Sequence, residues 1–345
     1  MKPIGMPASV RIAVSLLVLT AVSPAAGAER QVWQAWNVAW ENDSFNPWSK
    51  RATDQLYTNG LRIVIARARK HNFGWARLIQ GWFPGAGAAD QDTISALVFG
   101  QHIFTPTVIT NFDVDPADRP YAGYLYAGGL TALTQASTAS DSGWGTSHRQ
   151  TLEWHVGVMG PAALAGQTQK AVHAIRGNRI PKGWGHQLGN EFAVNTLYQF
   201  ELRAGSPCLD VIPRAGLAVG TIQTYATLGV TVRIGHNMRG FPTTPNMLTK
   251  HPPAKRPTWE LAVFAGADGR ALLRNAYLDG NLFGGSPRVE KKPRVGDSRA
   301  GVTYRHQSWR VTAQLVWRGP AFEGAFGGRS HTFGSVSLGR EFEPR

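Results

Sequence analysis

The feature that most constrains this chain is a strict two-residue alternation of apolar and polar side chains, repeated along nearly its whole length. In "SWRVTAQLVWR", Trp309, Val311, Ala313, Leu315 and Trp317 fall on one face, and Arg310, Thr312, Gln314 and Arg318 on the other. "RQTLEWHVGVM" sets Leu152, Trp154, Val156 and Val158 against Thr151, Glu153, His155 and Gly157. "YATLGVTVRI" sets Ala226, Leu228, Val230, Val232 and Ile234 against Tyr225, Thr227, Gly229, Thr231 and Arg233. A period of two marks a strand with two unlike faces. Roughly twelve such segments occur, by the usual strand and turn signals. They lie near residues 31–42, 56–68, 94–105, 121–135, 148–159, 191–205, 208–218, 221–235, 258–274, 296–305, 309–319 and 331–342.

Each segment supplies the ~9–11 residues that a tilted strand needs to cross a bilayer. The apolar face often opens or closes on Trp or Tyr, as in interfacial girdles, while the other face carries Arg, Glu, Thr and Gln, which lipid would not tolerate. Alternation alone also suits a soluble periplasmic sandwich or barrel with the apolar face inward. Strand length, aromatic ends and the lack of disulfides favour the membrane form. The fold class expected is all-β: a twelve-stranded antiparallel transmembrane β-barrel of the outer membrane. Closure removes sheet edges, whose unpaired backbone groups cost several kcal/mol each in lipid. An even strand number puts both termini on the periplasmic side.

The first 28 residues fit export. Lys2 and Arg11 give a positive start, Ile12 to Val22 a short apolar run, and Ala26-Gly27-Ala28 a small-residue cleavage site. This pattern is a secretory signal peptide, too short for a membrane span. The expected division is therefore a signal peptide over 1–28 and a barrel domain over 29–345. Cys208 is the single cysteine, so no internal disulfide is available, and a half-buried strand position is expected for it. The formal charge of +14 points to an anionic partner such as anionic lipid or a phosphorylated glycan; export argues against nucleic acid.

One segment departs from the alternation. In "GPAALAGQTQKAVHAIRGNRIPKGWGHQLGNE", Ala162 to Ile175 is rich in helix formers, Pro161 suits a first turn and Gly177 a stop. If the first strand runs outward, this helix lies in an extracellular loop, at the same rim as "WENDSF". Residues 80–90 and 236–257 read as Pro/Gly-rich connections.

Candidate chemistry gathers at that rim. Gln169 and His173 are four apart and share a helix face. Histidine has the unperturbed pKa suited to acid–base work near neutrality, although a helical histidine is more often a plain packing residue. Glu41, Asn42 and Asp43 offer the hard oxygens that calcium prefers, or else an Asx turn as the chain leaves the strand. No EF-hand or zinc spacing, GxSxG elbow or phosphate loop is present.

Five ordered blocks, "WENDSF…TDQLYTNGLRI", "GQHIFTP", "DRPYAGYLYAG", "GPAALAGQTQKAVHAIRG" and "GWGHQLGNE", resemble the outer-membrane lipid A 3′-O-deacylase family, most clearly over residues 37–200. The resemblance implies a twelve-stranded barrel with its site between the outer wall and a loop helix. It also implies calcium-dependent hydrolysis of the 3′-linked acyloxyacyl ester of lipid A. The family's Asn-Asp pair falls on Asn42 and Asp43, its strand-two hydroxyl on Thr58, and its helix glutamine and histidine on Gln169 and His173. In those roles His173 is the general base. Asp43, with Asn42 and Glu41, is the metal side, and Asn42, Thr58 and Gln169 place water, metal or developing charge.

Two departures stand out. The best-known member has an acid a few residues after the histidine, where this chain reads Gly177-Asn178-Arg179. The second aspartate after Asn-Asp is Ser44. Glu191 or Glu41 is the candidate substitute. Arg119 and Lys170 are candidates to hold the substrate's phosphates. The expected partner is lipid A or lipopolysaccharide in the outer leaflet, met by a monomer. Rival readings are a phospholipase-like esterase and a non-catalytic barrel, either a small pore or a surface binder.

Overall fold

Alternation becomes the wall of a closed barrel. The computed structural model describes residues 35–45, 56–68, 72–87, 91–113, 115–136, 143–238, 240–241, 258–324 and 330–342. The signal-peptide segment, Asp54 and most of the 236–257 connection lie outside these. The strands are β1 (Ala35–Asn42), β2 (Leu56–Ala68), β3 (Gln91–Thr105), β4 (Ala122–Ala136), β5 (Gly145–Met159), β6 (Glu191–Gly205), β7 (Leu209–Gly220), β8 (Gln223–His236), β9 (Trp259–Asn275), β10 (Arg294–His306), β11 (Trp309–Arg318) and β12 (His331–Glu341). Each pairs with its chain neighbours, and β1 pairs antiparallel with β12, from Ala35 opposite Glu341 to Asn42 opposite Gly334. The sheet therefore has no free edge, as a wall in lipid requires.

Burial decides which face is which. Along β7, exposed and buried residues alternate without a break: Leu209, Val211, Leu217 and Val219 are exposed, while Asp210, Ile212 and Arg214 are buried. Leu228 is 70 % exposed and Asp210 is 0 % exposed. The apolar face points outward, which removes the soluble, apolar-core alternative.

The inward face is a ladder of ion pairs. Arg203 and Arg233 share Asp210, Arg214 and Arg299 share Asp268, Arg270 and Arg318 share Asp297, and Arg149 meets Glu201. A buried charge is tolerated only when paired, so much of the arginine surplus is spent inside the barrel. Aromatic side chains fill the lumen near one rim: Tyr57, His102, Tyr124 and Tyr277 lie ring to ring. Below them a cavity of about 390 Å³ remains, lined by Glu41, Arg62, Glu153, Arg299 and Arg310 among others.

Among the described residues, three α-helices interrupt the connections: α1 (Gly74–Gln80), α2 (Ala165–Arg176) and α3 (Ala276–Asp279). The first occupies part of the link between β2 and β3, just ahead of the Pro/Gly-rich connection over 80–90, and was not expected. It lies on the outside of the wall at the rim of the chain termini. Phe73 N–H donates to Ser95 Oγ at 2.9 Å, Gln150 Nε2 to the Pro84 carbonyl at 2.8 Å, and Trp75 meets Trp154 edge-on at 5.8 Å. Cys208, expected half-buried in a strand, is exposed in the tight turn between β6 and β7, because the strand begins one residue later.

The predicted loop helix forms, but starts at Ala165 rather than Ala162. Pro161–Ala163 make a 3₁₀ turn, and Leu164 takes a left-handed conformation (φ 57°) that separates the two. Gly177, also left-handed (φ 71°), ends it as expected, its N–H bonded to the His173 carbonyl.

Candidate active site on the outer face of the wall

The site is built where three segments meet at the rim opposite the termini. The first is the end of β1. Alternation turns Asn37 and Glu41 into the lumen and Trp40 and Asn42 outward. The chain then folds back over the outer face in the 3₁₀ turn Asp43–Phe45. Phe45 packs edge-on against Trp40 at 4.9 Å and sits over Gly334, where a Cβ would come within 2.4 Å of the Phe45 Cβ. Asn42 fixes the turn: its Oδ1 accepts from Ser44 N at 2.8 Å and from the Ser44 hydroxyl, and its Nδ2 donates to the Thr58 carbonyl at 3.0 Å. This is the Asx turn. It brings Asp43, 0 % exposed, to the wall.

The second segment is the start of β2. A bulge between Tyr57 and Asn59 leaves Thr58 as an extra residue. Without it, alternation would aim Thr58 into the lumen. With it, Tyr57 faces inward and Thr58 outward, its Oγ1 2.7 Å from Thr105 Oγ1 at the end of β3. Bulges commonly re-aim a side chain in this way.

The third is α2. Gln101 on β3 donates to the Ala163 carbonyl at 2.7 Å, and Ala165 lies over Gly123, where a Cβ would approach the Ala165 Cβ to 2.4 Å. Ile103, Ile109, Tyr121, Ala165 and Trp184 form a small core between helix and wall. Tyr121, just before β4, donates to the Ile109 carbonyl at 3.1 Å, and burial pushes its phenol up to about 12, so it remains a donor. The wall-facing residues of α2 include Gln169 and His173, which are 3 % and 2 % exposed. Trp184 Nε1 donates to Gln169 Oε1 at 2.8 Å, while Gln169 Nε2 is buried with no partner among the described residues. His173 Nδ1 lies 2.6 Å from the Arg179 carbonyl. A carbonyl oxygen only accepts, so Nδ1 carries the proton and Nε2 is the basic nitrogen of the neutral ring. The last turn of α2 reaches back to β1: Arg176 Nη1 donates to Ser44 Oγ at 3.1 Å.

Asn42, Asp43, Thr58, Gln169 and His173 are thus brought to one rim and one face of the wall. Three expected residues are not. Glu41 points into the lumen, where it accepts from the Tyr57 hydroxyl at 2.6 Å. It cannot share a ligand set with Asn42 and Asp43 on the other side of the sheet. Arg119 is also on the lumen side, with its guanidinium over Phe104 at 4.3 Å and 3.5 Å from the Tyr277 carbonyl. It is 5 % exposed, and burial pulls it down to about 9. That position gives it no access to a phosphate at the outer rim. Glu191 is held elsewhere, accepting from Leu282 N at 2.7 Å. Lys170 is exposed on the solvent side of α2. Thr105, Trp184 and Arg176 were not singled out from the sequence. Thr105 and Trp184 lie inside quoted blocks, and Arg176 continues the spacing of Gln169 and His173 by three residues.

Among the described residues, the oxygens at this face do not make up the six to eight ligands that a calcium ion takes. Asn42 Oδ1 is already occupied by Ser44, and Glu41 faces the other way. Among the described residues no group of three or more His, Cys, Asp or Glu could hold a metal.

A closed, inside-out barrel with a helix bearing a buried His–Gln pair docked on its outer wall defines an outer-membrane protein whose candidate site lies outside the lumen. The sequence model of the family described as "Outer membrane protein LpxR" matches residues 12–342, so the chain belongs to that family, the lipid A deacylase family that its five blocks resemble. LpxR from Salmonella typhimurium is similar in structure (TM-score 0.66) at 18 % identity, over 89 % of this chain and 100 % of that one. The translocator domain of the autotransporter NalP from Neisseria meningitidis (TM-score 0.41, 10 % identity, 97 % and 96 % covered) is a more distant match. So is outer membrane phospholipase A from Escherichia coli (TM-score 0.34, 9 % identity, 90 % and 96 % covered). No curated protein matches.

Proposed function

We propose that this protein hydrolyses the 3′-linked acyloxyacyl ester of lipid A from the outer face of the barrel wall, with His173 as general base. Family membership supports the substrate class. The observation that carries the chemistry is the His173–Arg179 hydrogen bond, which sets the basic nitrogen of a buried imidazole on the wall-facing side of α2.

In this reading water adds to the ester carbonyl carbon as its proton passes to His173 Nε2. The tetrahedral oxyanion then collapses, and the sugar oxygen leaves with that proton, giving a free acid and an alcohol. Gln169 Nε2, buried and not bonded within the described residues, is a donor for the developing oxyanion. Thr58 and Asn42 hold the floor of the site through their bonds to Thr105 and to the β2 backbone. No step is assigned to calcium. A pore role finds no support in a lumen crossed by ion pairs and closed by aromatic rings.

The test is mass spectrometry of lipid A from cells making the wild-type protein or His173→Ala, with heat-modifiable gel mobility to confirm barrel formation. Loss of one acyloxyacyl unit in the wild type alone is the expected result. Unaltered lipid A with new lysophospholipid would replace this substrate with a glycerophospholipid.

A further inference from the structure

We infer that Arg176 supplies the positive charge of the hydrolytic site, the task for which a divalent cation would otherwise be needed, so that ester hydrolysis by this protein is independent of calcium. The inference rests on the lipid-ester reading above and concerns the charge at the same site.

Gln169, His173 and Arg176 follow the spacing i, i+4, i+7 and therefore form one stripe along α2. The stripe runs from the buried amide, through the buried imidazole, to an exposed guanidinium at the last turn, where a cation suits the helix end. The guanidinium is tied to the turn that follows β1 by its 3.1 Å bond to Ser44 Oγ. Ser44 is in turn bonded through its main chain and its hydroxyl to Asn42 Oδ1. The fixed cation thus stands one residue from the buried Asp43.

A dication in the same place would meet a positive neighbour, would need oxygens from Asn42 that Ser44 already occupies, and would have no carboxylate at position 44. An arginine there carries permanent charge and several N–H donors, one or two of which can point at a single developing oxyanion. Placed beside the ester carbonyl, it stabilises the charge that develops when water adds, without any metal.

The experiment uses the purified full barrel in detergent with lipopolysaccharide as substrate, assayed in EGTA or in added calcium chloride, with products read by mass spectrometry. The expected wild-type rate is the same in both, within about twofold. Arg176→Ala is expected to lower kcat roughly 10²-fold, as loss of one oxyanion donor does, with KM little changed and heat-modifiable mobility retained. Arg176→Lys is expected to recover part of that loss in EGTA and Arg176→Gln, which keeps a donor for Ser44 but no charge, is not; equal recovery by both would make the contact merely structural and overturn the inference. Wild-type activity that is lost in EGTA and restored by calcium overturns the inference and leaves the lipid-ester reading standing; so does full activity of Arg176→Ala in EGTA. A folded wild-type barrel inactive in both conditions overturns the reading and the inference together.

Discussion

His173 and Arg179 are joined by a 2.6 Å hydrogen bond from the imidazole Nδ1 to a main-chain carbonyl, while the His173 carbonyl itself accepts from Gly177 N–H and from Asn178 N–H at 2.9 Å. The base is held at both ends by the segment that terminates its helix, so its orientation depends on how α2 stops. His173→Gln is expected to reduce deacylation by about 10²–10⁴-fold, the usual worth of a general base, with the barrel intact on heat-modifiable gels. Turnover near the wild-type rate would remove His173 from the chemistry.

The helix sits against the wall because position 123 has no side chain. Gly123→Val would place a Cβ within 2.4 Å of the Ala165 Cβ, so the helix must shift away from the wall. Overpacking of this kind costs about 1–3 kcal/mol. The expected outcome is a folded barrel whose 160–190 loop is newly sensitive to protease and whose activity is lost.

Trp184→Phe keeps the ring between Tyr121 and Gly166 but removes the donor to Gln169 Oε1. One hydrogen bond is worth about 1 kcal/mol, so kcat is expected to fall by several-fold while the fold is unaltered. Trp184→Ala should cost far more, since it also empties the small core beneath α2. Equal effects of the two changes, measured as initial rates, would mean that the amide needs no orienting.

Thr58 and Thr105 share a hydroxyl–hydroxyl bond under the site. Thr58→Ser is expected to retain activity. Thr58→Val, isosteric but unable to bond, is expected to lose about 1–3 kcal/mol of stability from the disturbed polar pair, seen as a lower temperature for the heat-modifiable transition, together with a lower rate.

Glu41, expected on the metal side, and Arg119, expected on a substrate phosphate, serve as controls. Glu41→Gln and Arg119→Met alter only the lumen side of the wall, where their partners are Tyr57 and the Phe104–Tyr277 pair. Deacylation is expected to stay within about twofold of wild type in each, as for sites remote from the chemistry. A large rise in KM for Arg119→Met would return that residue to substrate binding.

The barrel was legible in the sequence because lipid on one side and paired charges on the other force a period of two over every strand. "SWRVTAQLVWR" and "YATLGVTVRI" carry their outward faces as the alternation predicts. The same rule, applied one step further, separates Glu41 from Asn42: adjacent residues of a strand cannot face the same way. Thr58 obeys no such rule. The bulge at Tyr57 inverts its side, and nothing in "LYTNG" announces an inserted residue. Arg119 was opaque for a different reason: a loop arginine near a rim reads as solvated, and its burial over Phe104 comes from long-range closure of the barrel. The β2–β3 helix was hidden because it is short and its stability comes from docking on Ser95, Gln150 and Trp154, residues far away in the chain.

The separation of Glu41 from Asn42 has a consequence for traffic. The sheet between them is one backbone thick, with an ionic interior behind it and the outer, membrane-side face of the barrel in front. A lipid that approaches Asn42 from the front keeps its acyl chains in the leaflet throughout; it arrives by sliding sideways along the membrane plane and leaves the same way. The relevant encounter is two-dimensional, governed by how many substrate molecules crowd each patch of membrane, and an inhibitor meant to compete there must first partition into that leaflet.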